Sequence, residues 1–473
     1  MKKIFKARRG VTVMLVLVFM GVFSMSVGML ATYLLTQAKV GRAKYAREQA
    51  FSVAEGGLEY YKWFLAHFPN NLTNGTGQAG PYSFVVNDPE GGQIGTASIA
   101  VVGNTACGVI QSIDITSEGT ADIDSRFKRS LFGRYARSSV AEYSHIINSN
   151  VWAGADRNIV GPYHSNGGVR MDGTNNSTVT SGVSTWTCTS SFGCSPNQNV
   201  AGVWGAGPGF TLWQYPVPQF NFAGMAVNLA TLKGYAQTQG VYFNTVSTSG
   251  QRGYHMILRN DNTVDVYRVT GTNGRSTIHI DNPSSWQTDY HQITSETYLG
   301  RYIIPAACPV ILAEDNIWLE GTAASKIIVI AGDPENASYN PDIILQNNIG
   351  YTSTAGTVGL TAVAERSVVY GYNIPDIMTV RGIFVAQTGY YGRNLYPCQY
   401  SPYDKRTSLA LHGSVVSNGR VGTKWGYSSS GCSNQWSGFN TRTDTYDRLL
   451  SSSPPSFTPF ATTDFKFTIW REE

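Results

Sequence analysis

The sequence predicts an α+β protein in which a long N-terminal helix precedes a small antiparallel sheet module and a large all-β domain. Three observations lead to this prediction. Residues 11–35 form one apolar run, and a helical pattern continues that run to about residue 68. Residues 69–473 are instead rich in Gly, Ser, Thr and Asn, with only short apolar runs. A chain of 473 residues with 12% aromatic side chains can bury a sizeable core.

The first element is a helix that we expect to span residues 11–68. Residues 11–38 contain no charged side chain, and this run is long enough to cross a hydrocarbon core of about 30 Å. Apolar residues then recur at steps of three and four, the spacing of a helix with one buried face. These residues are Phe51, Ala54, Leu58, Tyr61 and Leu65. Because no heptad pattern persists and Gly56–Gly57 weakens a free helix, the helix requires packing partners.

The flank of the apolar run predicts its orientation in a membrane. Five of the first ten residues are Lys or Arg, which favours a cytoplasmic N-terminus and translocation of the rest. A secretory signal would have a shorter apolar core, of about 7–15 residues. A plain uncleaved anchor and a processed precursor both fit this topology.

The basic leader ending in Gly10, the apolar run from Val11 and the stretch REQAFSVAEGGLEYY resemble a type IV prepilin. The last stretch is similar to the AxxAAExGL segment of minor pilins of the PilX kind. The resemblance implies that prepilin peptidase removes residues 1–10 by cutting between Gly10 and Val11, and that Val11 becomes N-methylated. It also implies a single-pass precursor in the inner (cytoplasmic) membrane, which later joins an extracellular filament through contacts of residues 11–68 with other pilin subunits.

Removal of the leader changes the charge balance. It takes five of the 35 Lys and Arg residues and leaves 30 against 31 Asp and Glu, a nearly neutral chain. The overall charge is therefore no sign of a nucleic-acid partner.

The fifth residue after the expected cut is Leu15. Major pilins usually carry a glutamate there, which is thought to pair with the terminal amine of a neighbouring subunit. A buried carboxylate is costly unless it is paired. Leucine at this position therefore removes a contact that would set the register between neighbouring subunits, and it makes extraction of the helix from the membrane easier. Leu15 resembles the residue of PilX-type minor pilins and K-type pseudopilins, and it argues against a repeating shaft subunit.

We place the small antiparallel sheet module at residues 69–142, packed on the helix. The segments PYSFVVND, TASIAVVG and QSIDITSEGTADI have strand composition and are separated by Gly, Asn and Asp turns. RFKRSLFGRYARSSVAEY follows as another strand or strand pair.

Residues 143–450 are expected to form the large β domain. GPYHSNGGV at 161–169 and GSVVSNGRV at 413–421 share one pattern, and short strands with glycines at their breaks lie between them. Stacked turns of this kind favour a right-handed parallel β-helix, with an antiparallel sandwich as the alternative. We expect residues 451–473 to be a tail that packs on this domain. These segments are similar to the C-terminal regions of large PilX-like proteins.

The chain has six cysteines, all beyond the apolar run, which suits an exported protein with disulfides. Cys188–Cys194 would close one loop and Cys398–Cys432 is a second candidate pair. By elimination, Cys107–Cys308 is the third. Zinc is the rival interpretation, but no CxxC pair or histidine cluster accompanies these cysteines.

Few residues point to catalysis or metal binding, and no cofactor is expected. His164-Ser165 lacks a Gly-x-Ser-x-Gly context, and the second repeat has Val416 at the equivalent position, so we expect His164 to be a turn residue. Oxygen-rich residues could hold calcium or cleave polysaccharide, although a solvated turn explains most of them. The calcium candidates are Asp333, Glu335 and Asp342, and Asp261 joins them as a candidate for polysaccharide cleavage.

Aromatic side chains concentrate in two glycine-rich segments, TGYYGRNLYPCQYSPYD and TKWGYSSSGCSNQWSGF. If exposed, they could stack on a surface glycan or anchor a protein partner, whereas the alternative is ordinary loop packing. The candidates are Tyr390, Tyr391, Tyr400, Tyr403, Trp425 and Trp436. Basic residues among them are too sparse for a clear nucleic-acid site.

The sequence therefore predicts a non-catalytic minor subunit, tip-proximal or assembly-priming, of a type IV pilus or related filament. Its large β domain would be presented at the surface for adhesion. Two alternatives stay open: a membrane-anchored extracellular β-helix enzyme acting on polysaccharide, and a pseudopilin of a type II secretion system.

Overall fold

The structure is a computed structural model that describes residues 9–246, 253–336, 338–427 and 436–473. Its chain divides into two compact units. The first unit comprises Met1–Gly103, Ile113–Tyr135 and Ile469–Glu473, and the second comprises Asn104–Ser112 and Ala136–Thr468.

The first unit is built from one long helix and an antiparallel sheet. Helix α1 spans Arg9–His67, close to the predicted 11–68. The sheet has the strand order β1-β2-β3-β4-β31. Its strands are β1 Tyr82–Asn87, β2 Gln93–Ala106, β3 Val109–Ala121, β4 Lys128–Ser139 and β31 Phe460–Glu472. Residues 104–106, 109–112, 136–139 and 460–468 of these strands belong to the second unit.

Strand β31 forms the second part of the predicted C-terminal tail. Residues 451–473 were expected to pack on the large β domain. The first part does contact it, since Thr458 Oγ1 lies 2.6 Å from Thr361 Oγ1 and the Phe457 ring lies 5.6 Å from that of Tyr235, whereas Phe460–Glu472 is the edge strand beside β4. The side chains of its last residues also contact the first unit, since the ring of Trp470 lies 6.1 Å from that of Phe51 and Arg471 lies over Phe132. The sheet is therefore completed by a segment that follows more than 300 residues of other structure, a pairing that local sequence patterns do not reveal.

The second half of α1 packs tightly against this sheet. Small side chains at Ala46, Ala50 and Ala54 are fully buried and lie at four-residue steps on one helix face. A Cβ added at Gly57 would lie 2.3 Å from Ser117 Oγ and 2.7 Å from Ala97 Cβ. These distances are below any real contact, so the helix and the sheet approach as closely as glycine allows.

The second unit contains the remaining elements. Its helices are α2 Phe222–Met225, α3 Leu229–Gln239 and α4 Arg448–Ser452. Strands β5 to β16 are His145–Ile147, Val151–Ala153, Arg157–Val160, Tyr163–Ser165, Val169–Met171, Thr174–Asn175, Val179–Ser181, Thr185–Cys188, Gln198–Ala201, Val203–Trp204, Trp213–Gln214 and Val241–Phe243. Strands β17 to β30 are Gly253–Leu258, Thr263–Ile278, Trp286–Ile303, Val310–Ala313, Asn316–Ala323, Lys326–Ala331, Ile343–Tyr351, Gly359–Ala364, Val368–Tyr370, Ile377–Ala386, Tyr391–Gly392, Lys405–Ser417, Lys424–Gly426 and Trp436–Thr445.

Most strand pairs of the second unit are parallel and skip the next strand in sequence. One ladder runs β16-β20-β22-β24-β26-β28-β5-β8-β11-β15, with every neighbouring pair parallel. A second runs β17-β21-β23-β25-β27, also parallel. The structure thus confirms a large, mostly parallel β structure after the helix and the antiparallel sheet, and the antiparallel sandwich does not describe it.

The two copies of the sequence repeat lie in this parallel ladder. Val416 of β28 is opposite Ile146 of β5, which is in turn opposite His164 of β8. The repeat therefore reflects strands that stack in register with one strand between them. It also corrects the expectation for His164, which lies in a strand with 2% exposure rather than in a turn.

Two long strands bend at glycine. Gly382 in β26 and Gly413 in β28 are register partners and adopt φ angles of +157° and +140°. A Cβ at Gly413 would meet the carbonyl oxygen of Gly382 at 1.8 Å. Side chains are therefore excluded where these strands change direction.

Several strand pairs of the second unit are antiparallel, among them β12–β13 and β29–β30. Strands β18 and β19, Thr263–Ile278 and Trp286–Ile303, form a long antiparallel pair, and β17 pairs antiparallel with β18. The interior of the unit is mostly apolar, with Ile317, Leu345 and Leu360 among its fully buried side chains. Burial of such side chains is the main contribution to the stability of the unit.

Candidate functional site

The exposed first half of α1 is the candidate functional site. Its large apolar side chains are largely uncovered: Leu15 is 54% exposed and Met29 is 73% exposed. The helix is long and apolar enough to cross a membrane, by length and composition, and the most apolar window is not buried within the chain. An apolar surface of this extent requires lipid or other protein around it.

Three hydroxyls of this half are hydrogen bonded within the helix. The hydroxyls of Ser26, Thr32 and Thr36 donate to the carbonyl oxygens of Val22, Gly28 and Thr32 at 2.8–2.9 Å. Because lipid offers no hydrogen-bond partners, these internal bonds make the three hydroxyls compatible with a bilayer.

Gly10 and Val11, the residues flanking the expected cut, lie at the start of the same helix. Apart from its chain neighbours and the backbone of its own helix, no described residue has an atom within 4 Å of the position that a Cβ on Gly10 would occupy, and Val11 is 58% exposed. The junction is therefore sterically open, and cleavage there stays a prediction.

Leu15 lies in this exposed apolar segment, and residues 11–38 contain no carboxylate. A helix packed against this surface would meet mainly apolar side chains and a few hydroxyls. Any register between neighbouring helices would then come from side-chain shape, since no charge pair is available within residues 11–38.

The six aromatic binding candidates do not form one exposed surface. Tyr390 and Tyr391 are 4% and 1% exposed, so the prediction that they present rings to a ligand is wrong. Both lie in the core because they immediately precede and begin β27, within the parallel ladder. The Tyr370 and Tyr391 hydroxyls are 2.5 Å apart.

The other four candidates already have protein partners. Tyr400 accepts a hydrogen bond from the backbone of Ser276 at 3.0 Å. The ring of Tyr403 lies 5.0 Å from that of Tyr372. Trp425 donates to the Arg393 carbonyl at 2.8 Å, and Lys424 lies over the Trp436 ring. These contacts are those of ordinary loop packing, although Tyr403 retains 40% exposure.

The calcium candidates are occupied by protein donors. Glu335 pairs with Lys233 at 2.8 Å, and Asp342 pairs with Arg366 and accepts from the backbone of Ser367. The carboxylate of Asp342 raises the pKa of Arg366. Asp333 accepts from Thr245 at 3.3 Å.

These acidic residues are not assembled into a site. Asp261 lies on the β17–β18 turn, near Arg301 at 3.8 Å. In the described ranges, no group of three His, Cys, Asp or Glu side chains is placed to share a metal ion. Asp333, Glu335 and Asp342 act as local hydrogen-bond and ion-pair partners.

Two disulfides are present among the described residues. Cys107 is bonded to Cys308, and Cys188 is bonded to Cys194. Both pairs lie within the second unit, and each is one of the pairs considered above. Cys432, the expected partner of Cys398, lies outside the described residues, so that pair stays a prediction.

No protein-family model matches the sequence, and no curated protein matches it. Among solved structures, the chain is similar to the competence-associated pilin ComZ from Thermus thermophilus, at 13% identity and a TM-score of 0.31. The similarity covers 90% of this chain and 97% of that chain. The function proposed below therefore rests on the residues and contacts of this chain.

Proposed function

We propose that this chain is a non-catalytic minor subunit of a type IV pilus or a related filament. The division of α1 carries the proposal. Its second half is anchored in an antiparallel sheet, while its first half is apolar and exposed, with three of its hydroxyls hydrogen bonded within the helix. Such a surface can be covered by lipid before assembly and by equivalent helices of other subunits afterwards.

The proposed route begins in the inner membrane. Prepilin peptidase cuts between Gly10 and Val11, where the helix is sterically open, and the new terminus is methylated. Assembly then exchanges lipid for the helices of neighbouring subunits. Residues 11–38 contain no carboxylate, since Leu15 stands where a glutamate is usual. The helix can therefore leave the lipid and pack against other subunits without carrying a negative charge through an apolar environment.

The second unit suits a position at or near the filament tip. Its parallel ladders, in which each strand pairs with one further along the chain, are those expected of a right-handed parallel β-helix. Residues 140–459, which make up most of this unit, lie between the fourth and fifth strands of the small sheet. A unit of this size is easier to accommodate at one end than in every repeat of a shaft, and there it could prime assembly or contact a surface.

N-terminal sequencing and intact-mass measurement test this proposal directly. The protein would be purified from host membranes and from filaments sheared off the cells. We expect a terminus at Val11 carrying one methyl group, with part of the protein in the sheared fraction. A terminus at Met1 and recovery from membranes alone would contradict the proposal and favour the anchored enzyme.

A pair of variants sharpens the test. Gly10→Val places a β-branched residue at the proposed cut, and we expect it to retain residues 1–10 and to be absent from sheared filaments. Gly21→Val makes the same change in the same exposed helix, at another position where no neighbour lies within 4 Å. This control should be processed normally.

A further inference from the structure

The second unit contains a cavity of about 820 Å³ beside strands β8, β11 and β15. This volume lies in the range of about 300–1,000 Å³ that is usual for small-molecule sites. Its lining combines aromatic rings with amides, hydroxyls and one arginine, and it includes none of the aromatic candidates chosen from the sequence. Its principal residues are Arg137, Tyr143, Thr178, Gln214, Phe220 and Phe460.

Arg137 is the distinctive group of this cavity. Its guanidinium lies 3.8 Å from the centre of the Phe460 ring, which fixes it against the wall. Throughout the described part of the chain, Arg137 forms no ion pair and no side-chain hydrogen bond. Burial lowers its pKa, because the cation loses water without gaining a carboxylate. An anion in the cavity would supply the missing partner.

The nearby carboxylate does not fill this role. Glu142 also lines the cavity, but it pairs with Lys466 at 3.5 Å. Glu142 therefore does not neutralise Arg137, and the cavity carries about one uncompensated positive charge. A polyphosphate such as a nucleic acid would require a row of cations, so a ligand with a single negative charge fits better.

Neutral polar groups surround this charge. Tyr143, Thr178 and Gln214 line the cavity and form no side-chain hydrogen bond with any other described residue. Two hydroxyls and one amide are thus free to bind hydroxyl groups of a ligand, as donors or acceptors. A polyhydroxylated ligand matches this set better than an apolar one does.

The wall of the cavity is preformed. The Phe220 ring makes edge-on contacts with Tyr143 at 5.2 Å and with His164 at 4.7 Å. His164 is itself fixed, because one ring nitrogen lies 2.8 Å from Thr180 Oγ1 and the other lies 2.9 Å from Asn166 Oδ1. Both nitrogens are occupied, so His164 supports the wall and does not serve as a free base.

We propose that this cavity binds an acidic sugar residue, whose carboxylate is held by Arg137. Tyr143, Thr178 and Gln214 bind the sugar hydroxyls, and Phe220 provides the apolar wall. The inference deepens the proposed surface role and rests on it only for the exposure of the second unit outside the cell. Binding by the purified chain tests the cavity separately from filament assembly.

The test is calorimetric titration of the full chain in a polyoxyethylene detergent, since maltoside detergents carry sugars themselves. The probes are a galacturonate trisaccharide, a sialylated trisaccharide and the same two compounds with their carboxyl groups reduced to alcohols. We expect at least one acidic probe to bind, and its reduced form to bind at least tenfold more weakly. No binding of either acidic probe, or equal binding of both forms, would overturn the proposal.

Variants identify the residues involved. Arg137→Ala should weaken binding of the acidic probe at least tenfold, and Arg137→Lys should restore part of the loss. Gln214→Ala alters an exposed side chain, so it should leave the unfolding temperature unchanged while weakening binding severalfold. Arg448→Ala removes the same charge from an exposed position of α4, outside the cavity, and should have no effect.

Two other outcomes would refute the assignment. Unchanged affinity in Arg137→Ala would remove the proposed carboxylate contact. Tighter Arg137-dependent binding of a single-stranded oligonucleotide than of either sugar would show that the cavity recognises phosphate instead. A terminus at Met1 together with binding of an acidic sugar would retain this inference while the filament proposal fails.

Discussion

The two units of this chain achieve a specific interior in opposite ways. In the first unit, helix and sheet meet through alanine and glycine at contact distances that leave no room for one more carbon atom. In the second unit, a group of charged and ionisable side chains is enclosed between stacked strands. The packing of one chain can therefore depend on steric fit in one region and on charge pairing in another.

The enclosed group centres on Arg157 and Asp444, which are 3% and 2% exposed and whose Nε and Oδ2 atoms lie 2.5 Å apart. Burial alone would raise the pKa of Asp444, but the charge and hydrogen bond of Arg157, together with other nearby positive charge, offset it and leave that pKa lowered. Arg157 Nη2 also donates to Nε2 of the fully buried His145 at 2.8 Å. His145 must therefore be neutral, with its proton on Nδ1 beside Ser144.

The largest effect is expected from breaking the charge pair. Asp444→Asn would leave Arg157 buried without a counter-ion, and we expect the free energy of unfolding of the second unit to fall by about 3–5 kcal/mol. Chemical denaturation followed by tryptophan fluorescence measures this. Glu59→Gln is the control, because its 2.9 Å pair with Lys62 is exposed and worth less than about 1 kcal/mol. Equal effects of the two changes would refute the contrast.

A smaller effect is expected from filling the close contact in the first unit. Gly57→Ala would force apart the helix and the sheet, and we expect a loss of about 1–3 kcal/mol, as in other overpacked cores. Gly28→Ala is the matched control in the same helix, since nothing lies within 4 Å of its added carbon. Thermal unfolding in detergent should separate them, and a Gly57→Ala protein as stable as Gly28→Ala would contradict close packing.

The third prediction concerns pH. Burial, together with the charge of Arg157, lowers the pKa of His145 to about 3, against an ordinary value of 6.5. The unfolded chain therefore takes up a proton as pH falls below 6.5, while the folded chain does not. The stability contributed by neutral His145 is complete above 6.5 and is lost as pH falls, at about 1.4 kcal/mol per pH unit.

His145→Gln isolates this contribution. We expect the free energy of unfolding to fall less steeply between about pH 6 and pH 4 in the variant than in the natural chain. The contributions of other titratable groups cancel in the difference between the two curves. Identical slopes would show that His145 does not carry the predicted proton linkage.

The extent of α1 and its buried stripe could be read from the sequence. Charge-free residues 11–38 and the three- and four-residue spacing after them are local patterns, and Ala54, Leu58, Tyr61 and Leu65 are buried as that spacing predicts. The sequence indicated only that Gly57 weakens a free helix, and it did not indicate the close contact that Gly57 makes with the sheet. The four-residue spacing of Ala46, Ala50 and Ala54 was the signal for a close contact.

The aromatic segments show why composition was a poor guide to a binding surface. Tyr390 and Tyr391 look suitable by type, yet their position at β27 places them in the core. The cavity around Arg137 was not visible, since residues 137, 178, 214 and 460 are distant in sequence. The parallel stacking of the strands and the position of β31 beside β4 bring these residues together in the folded chain.

By itself, the sequence determined the long apolar helix, the change to short strands after it and the stacked repeat, because each depends on neighbours within a few residues or on a recurring pattern. The tertiary structure alone decided the fifth strand of the small sheet, the burial of the tyrosines, the Arg157–Asp444 pair and the unpaired Arg137. These features depend on contacts between residues separated by up to hundreds of positions, and a local pattern holds no information on which distant partner will be met.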